Sequence, residues 1–175
     1  MAGKQTENYY YANGRRVPLV RSRELVAIED RAPEACGLDD TECARLKSAS
    51  RPLRGGVSLI EREKLGDQLE QQLDSRQLLH PVFEAEGALL VPLPEIRIEE
   101  SRPEQCEQLE VWLKEHAAAA KVVKRRPGRM VLEPTSGDAE AALDLANKVH
   151  EQVDPEMAQT RFIRVVPSPD TTPKR

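Results

Sequence analysis

The sequence predicts an α+β protein: a carboxyl-terminal ferredoxin-like βαββαβ antiparallel sandwich preceded by a smaller α+β module. Three observations carry that prediction. The last eighty residues alternate between the two-residue apolar period of strands and the 3.6-residue period of helices. Helix-start chemistry stands before both helical stretches, at Ser101 to Glu104 and at Asp138. Between them, Pro127-Gly128 puts a tight turn where two central strands must reverse.

The first element is a hairpin. Tyr9-Tyr10-Tyr11 and Val17-Pro18-Leu19-Val20 are β-prone runs flanking Asn13-Gly14, the strongest short hairpin signal. Residues 1–7 are polar and expected to fray. Leu25-Val26-Ala27-Ile28 reads as a further strand, ended by Glu29-Asp30-Arg31 and Pro33. Asp39 to Ser48 holds a short helix with Cys43, Leu46 and Lys47 on one side, and Gly55-Gly56 opens a strand from Val57 to Ile60. A helix is expected from Glu61 to Leu73, on the four-residue spacing of Leu65, Leu69 and Leu73. Gly66 weakens it by about 1 kcal/mol relative to alanine. His80-Pro81 ends this part. Val82 to Glu86 and Ala88 to Pro92 read as two strands joined around Gly87. From Leu25 to Phe83 the order is strand, helix, strand, helix, strand, a degenerate echo of the second half. Pro92 and Pro94 mark the expected boundary, giving modules at 1–92 and 93–166 and an extended, Pro-containing tail at 167–175.

In the second module PEIRIEE alternates Ile96 and Ile98 with charged neighbours, as a half-buried strand does. Ser101-Arg102-Pro103-Glu104 is a capping-box pattern, and Leu109, Trp112, Leu113 and His116 follow at one-face helical spacing. KVVKRRPGRMVLEP is a hairpin about a type II turn at Arg126-Pro127-Gly128-Arg129. Asp138 caps a second helix with the stripe Ala142, Leu145, Ala146, Val149 and Val153. A last strand around Ala158 to Val166 closes the unit. Two helices on one face of a four-stranded sheet leave the other face bare, and a bare face is a docking surface.

Composition narrows the function. Thirty acidic against 26 basic residues give a formal net charge of −4, with no general pull toward nucleic acid or anionic lipid. Aromatics make up 3%, too few for a base-stacking platform, and no apolar run reaches membrane-spanning length. The start, MAGKQTENYYYANG, lacks an apolar segment followed by a cleavage site, so a cytoplasmic location is expected unless the chain is a fragment of an exported precursor. Cys36, Cys43 and Cys106 lack metal-ligand spacing and read as reduced thiols, with a Cys36–Cys43 bridge as the alternative.

Catalytic signatures are absent from the sequence: no nucleophile elbow, phosphate loop or dinucleotide fingerprint. His80, His116 and His150 have no ligand partner at metal-binding spacing. His116 and His150 fall near helix C-termini, where the dipole favours a cationic ring. Glu99-Glu100 and Glu61/Glu63 read as solvated faces. The expectation is a protein that is not an enzyme and needs no cofactor or metal. The cluster Lys121, Lys124, Arg125, Arg126 and Arg129 is the one charge anomaly; it meets an acidic partner or phosphates, or it guards an exposed edge against aggregation. An RNA-recognition reading of the βαββαβ order fails because the central strands lack the aromatic pattern that stacks bases.

Four segments carry a resemblance. ALDLANKVHE, Ala142 to Glu151, followed by VDPEMAQTRFI, Val153 to Ile163, resembles the closing half of bacterial subtilisin-like protease propeptides, with Thr160 where proline is usual and Arg161-Phe162 at the aromatic position. PVFEAEGALLVPLPEIRIEE is similar to the junction between modules of multi-part propeptides, and YYYANGRRVPLVRSRELVAI to the opening of extended ones. None of the subtilase catalytic motifs follows before Arg175, so the chain is expected to be a separate propeptide-like subunit or a fragment of a longer precursor.

The resemblance implies a partner, a subtilisin-like protease catalytic domain, that the chain helps to fold and then inhibits as part of a heteromer. It implies docking by the bare sheet face, through Arg97, Glu99, Val123, Val131 and Glu133, with acidic side chains over partner helix N-termini. It also implies a tail lying as an added strand in the substrate cleft, through Arg161, Phe162, Ile163, Arg164, Val165 and Val166. Pro167 and Pro169 interrupt any ladder beyond that point, and a tail serving only as linker is the alternative. The reading from another class is a non-catalytic adaptor subunit unrelated to protease inhibition. No nucleic acid or membrane partner is expected.

Overall fold

The computed structural model describes residues 8–166. Among them nine strands form one antiparallel sheet accompanied by five α-helices. The Asn13-Gly14 signal holds: β1 (Asn8–Ala12) and β2 (Arg15–Glu29) pair with Ala12 opposite Arg15, and both turn residues have positive φ, +51° and +74°, as a type I′ turn requires. The expected strands at Val17 and Leu25 are one element, because β2 runs on through an irregularity between Arg21 and Val26 against β5. After α1 (Ala32–Ala35), α2 (Asp40–Ala49) starts at Asp39, whose carboxylate accepts from the Glu42 amide at 2.8 Å. Then come β3 (Ser50–Pro52) and β4 (Val57–Glu61).

The helix expected from Glu61 to Leu73 is broken. A 3-10 turn (Arg62–Lys64) ends before Gly66, and α3 (Asp67–Ser75) begins after it. Gly66 sits at φ +78°, a conformation outside the helical basin, so the glycine is a hinge between elements instead of a weak point within one. His80-Pro81 lies inside β5 (Leu79–Ala85), not at its end, and Glu86-Gly87 turns the chain into β6 (Ala88–Glu99). The proposed boundary at Pro92 to Pro94 therefore falls within a continuous strand. The prolines are accommodated by a register shift between Pro92 and Ile96 against β9, where a missing amide would otherwise break the ladder.

Helix α4 (Pro103–Glu115) starts one residue later than the S-R-P-E pattern implied. Gln105, not Glu104, closes its first turn, and its Oε1 accepts from the Ser101 and Arg102 amides at 3.3 and 3.4 Å. Proline fits the first helical position because its missing donor is not needed there. The hairpin β7 (Ala120–Arg126) and β8 (Arg129–Pro134), α5 (Ala139–Val153) and β9 (Met157–Val165) follow as expected. Gly128 has φ +72°, and the Asp138 carboxylate accepts from the Ala141 amide at 3.0 Å.

The two halves share one connectivity. Strands β2 to β5 lie in the order β3-β4-β2-β5, and β6 to β9 in the order β7-β8-β6-β9, so the first strand of each set sits between its third and fourth. Helices cover a single side of the sheet. There, Val26, Ile28 and Ile60 pack with Leu46, Leu69 and Leu73, while Ile96, Ile98, Met130 and Leu132 pack with Leu109, Trp112, Leu145 and Val149. The amino-terminal hairpin bridges the halves on that side. Tyr10 packs with Phe83, Leu90 and Leu143 of α5, and Asn147 Nδ2 donates to the Tyr9 carbonyl at 2.8 Å. The Tyr9 and Tyr11 hydroxyls both donate to Glu151 Oε1, at 2.7 and 3.0 Å.

On the opposite side the alternate residues of the same strands form a core without a helix. Ala27, Val82 and Val91 are fully buried there beside Leu59, with Leu53, Leu89 and Ile163 packed around them. The β3–β4 turn closes over this patch: a Cβ on Gly55 would lie 3.2 Å from Ile163 Cδ1. Those residues belong to strands far apart in the sheet order, so the sheet curls toward its helix-free side. The curl hides the apolar part of that face and leaves a polar part open.

Candidate functional site

The open part of the helix-free side is a concavity of about 580 Å³ over β7, β8, β6 and β9. Strand alternation builds it. Ile96 and Ile98 point to the helices, so Arg97 and Glu99 must point away. The register extends this into lateral rows, Gln159–Arg97–Val131–Lys124 and Met157–Glu99–Arg129–Arg126. A shift between Val122 and Lys124 leaves Val123 as the extra residue of a bulge. The bulge brings Val123 and Lys124 to the same concavity, which strict alternation would forbid.

The sequence-derived residues divide into two groups. Arg97, Glu99, Val123, Val131 and Glu133 all line the concavity, and Arg161 of β9 joins them. The other five do not. Phe162 faces the helix side, with its ring 5.1 Å from Tyr10 in an edge contact. Ile163 packs into the second core, Arg164 is exposed opposite Leu90, Val165 is buried opposite Leu89, and Val166 is exposed beyond the strand. β9 gives one edge to β6, with Phe162 to Val165 opposite Pro92 to Leu89, so the strand expected to add in a partner's cleft is already part of this sheet and would have to use its other edge. The reason is apolar alternation, because Phe162 and Ile163 each have a core to fill. The tail at 167–175 lies outside the described residues.

Electrostatics also differ from the expectation of acidic side chains aimed at a partner. Each carboxylate in the concavity has a cation at hand. Glu95 meets Arg97 at 3.0 Å and Arg161 at 3.3 Å, Glu99 meets Arg129 at 3.2 Å, and Glu133 meets Lys121 at 3.3 Å. Lys124 and Arg126 enter no ion pair among the described residues. With five cations (Arg97, Lys124, Arg126, Arg129, Arg161) against three carboxylates (Glu95, Glu99, Glu133), the lining is net positive. Sequence reasoning listed Lys124, Arg126 and Arg129 as a basic cluster but did not join them to this face: the bulge that turns Lys124 and Arg126 inward has no sequence signature, whereas Arg129 follows from alternation with Val131 on β8. Glu95 and Met157 were missed for want of the register.

The histidines and cysteines lie outside this concavity. His80 is buried, with Nε2 3.2 Å from Glu29 Oε1; burial pushes its pKa down while the Glu29 carboxylate pulls it up. His116 stacks on Trp112 at 4.0 Å and His150 on Tyr11 at 3.9 Å, both at helix C-terminal ends. Cys36, Cys43 and Cys106 are free thiols. Among the described residues no cluster of three or more His, Cys, Asp or Glu could hold a metal ion, and no helix is long and apolar enough to cross a membrane. No known protein family, curated protein or solved structure matches this chain.

Proposed function

We propose that this chain is a non-catalytic, propeptide-like binding module that docks its helix-free sheet face on a subtilisin-like serine protease domain, assisting its folding and inhibiting it. The carrying observation is that the five face residues singled out by the resemblance line a single concavity, on the side the helices leave open. The order β7-β8-β6-β9 with α4 and α5 on one side supports a ferredoxin-like unit, the fold the sequence pattern predicts. Since β9 is held against β6 through Val165, contact with a substrate cleft begins at Val166 in this reading. Val131 and Met157 supply apolar contact between the charged rows, and the ion pairs around them keep those rows in place.

The test is a titration of the chain against a subtilisin-like catalytic domain, read with a chromogenic peptide substrate and, separately, by direct binding. Inhibition near one-to-one stoichiometry is expected. Val131→Lys combined with Arg97→Glu should weaken binding at least tenfold with the fold retained, and truncation after Val165 should abolish inhibition while leaving binding. Neither binding nor inhibition at micromolar chain would remove the protease reading. A second reading, an adaptor unrelated to proteolysis, is favoured by the paired carboxylates, which leave the face without free acids for helix N-termini. Face-dependent binding to a partner other than a protease supports that reading.

A further inference from the structure

The docking reading uses β7, the outermost strand of the carboxyl-terminal half, only through the side chain of Val123 and leaves the strand's outer edge unassigned. β7 pairs only with β8, and every residue of it after Ala120 is exposed. An unpaired edge offers alternate amides and carbonyls to another strand. Here the offer is specific. Val122 and Val123 are 42% and 47% exposed, two large apolar side chains with no core to enter. Around them stand Lys121, Lys124, Arg125 and Arg126, of which Lys121 and Arg125 are matched by Glu133 and Glu110, at 3.3 and 2.5 Å. Lys124 and Arg126 have no such match among the described residues.

We infer that the β7 edge takes an extended acidic segment of another protein as an added antiparallel strand, with carboxylates at Lys124 and Arg126 and apolar side chains against Val122 and Val123. Main-chain hydrogen bonds supply affinity in this mode, and the alternating side chains supply selection. The same cations exclude the commonest wrong partner. A second copy of this edge would set four basic side chains against four, so self-pairing is repelled while an acidic strand is attracted. Nucleic acid fits less well: no aromatic side chain lies between Ala120 and Met130 to stack a base, and the whole chain carries a net charge of −4.

The probe is a capped seven-residue peptide alternating glutamate and valine, with the lysine–valine peptide and a short single-stranded oligonucleotide as comparators. Binding is followed by calorimetry and by amide hydrogen exchange on the full chain. The expected result is protection confined to residues 121–126, weakening as salt rises, and at least tenfold loss of affinity in Lys124→Glu/Arg126→Glu with an unchanged circular dichroism spectrum. Several outcomes overturn the inference: no protection of β7 at millimolar peptide, protection centred on another element, equal binding of the lysine peptide, or tighter binding of the oligonucleotide. Concentration-dependent dimerisation through β7 would do the same. Val123, Lys124 and Arg126 also line the sheet-face concavity, but the two tests are told apart by their variants: the protease test uses Arg97 and Val131, which lie off the β7 edge.

Discussion

Asn147 ties the backbone of the amino-terminal hairpin to α5. It is 7% exposed, and its Nδ2 donates to the Tyr9 carbonyl at 2.8 Å, joining positions 138 residues apart. Asn147→Ala removes a bond worth about 1 kcal/mol net and leaves the carbonyl without its partner, a penalty of about 1–3 kcal/mol when water is excluded. Tyr9 is only half-buried, so water recovers part of that, and the expected loss is about 1.5–2 kcal/mol. Asn147→Asp keeps the shape but sets a carboxylate oxygen against the carbonyl. At pH 7 it should cost more than alanine, about 3 kcal/mol, because the buried charge is uncompensated. Its folded pKa must then rise, so the deficit shrinks as pH falls through that value and a protonated carboxyl donates instead. Urea unfolding gives the global loss, and amide exchange in β1 shows whether the hairpin opens first. If both variants lie within about 0.5 kcal/mol of the parent, or aspartate is no worse than alanine at pH 7, the hydrogen bond is not what holds the hairpin.

Other consequences are equally direct. The hydrogen bond to Glu151 holds the Tyr9 pKa up at about 12, burial raises that of Tyr11, and the Tyr9 bond lowers that of Glu151. A tyrosine with a raised folded pKa stabilises fully below its unfolded value near 10, and that stability is lost as pH climbs toward 12. Absorbance at 295 nm should therefore show Tyr9 ionising late, and Glu151→Gln should bring it forward; an unchanged profile in the variant removes the Glu151 link. Gly66→Ala discriminates between a continuous helix and the hinge. A helix through residue 66 would gain about 1 kcal/mol, whereas at φ +78° and ψ 148° alanine should lose about 1–3 kcal/mol, read as a change in melting temperature. Trp112, the single tryptophan, is buried and donates to Gln152 Oε1 at 2.7 Å. Trp112→Ala should cost about 3–5 kcal/mol in urea unfolding and Trp112→Phe clearly less; equal losses would mean that the ring does not fill its site.

Local chemistry determined most of the elements before any contact was known. Asn13-Gly14, Pro127-Gly128, Asp39 and Asp138 each act on atoms a few residues away, so their effects are readable in the chain, and all four turns or caps formed. The stripe from Ala142 to Val153 and the alternation of Ile96 and Ile98 likewise determined which sides are buried, and so which residues of β6 are left on the helix-free side. Where two local rules competed, only the fold arbitrated. The leucine spacing across Gly66 argued for one helix, yet the backbone turns there at φ +78°, and Leu65 and Leu69 enter the same core from two separate elements. The prolines at 92 and 94 looked like a linker, yet they sit in a strand whose register slips around them.

The concavity itself was half legible. Alternation placed Arg97, Glu99, Val131 and Glu133 together, because a strand's two faces follow from a period of two. Tertiary structure alone decided the rest: the bulge that brings Lys124 beside Val123, the ion pairs that neutralise the face's carboxylates, and the curl that buries Ala27, Val82 and Val91 without a helix. The curl and the Glu99–Arg129 pair depend on register between strands distant in sequence, and the bulge on a slip within the β7–β8 hairpin. A local pattern can state which way a side chain points but not what it will meet, since the partner is set by long-range pairing.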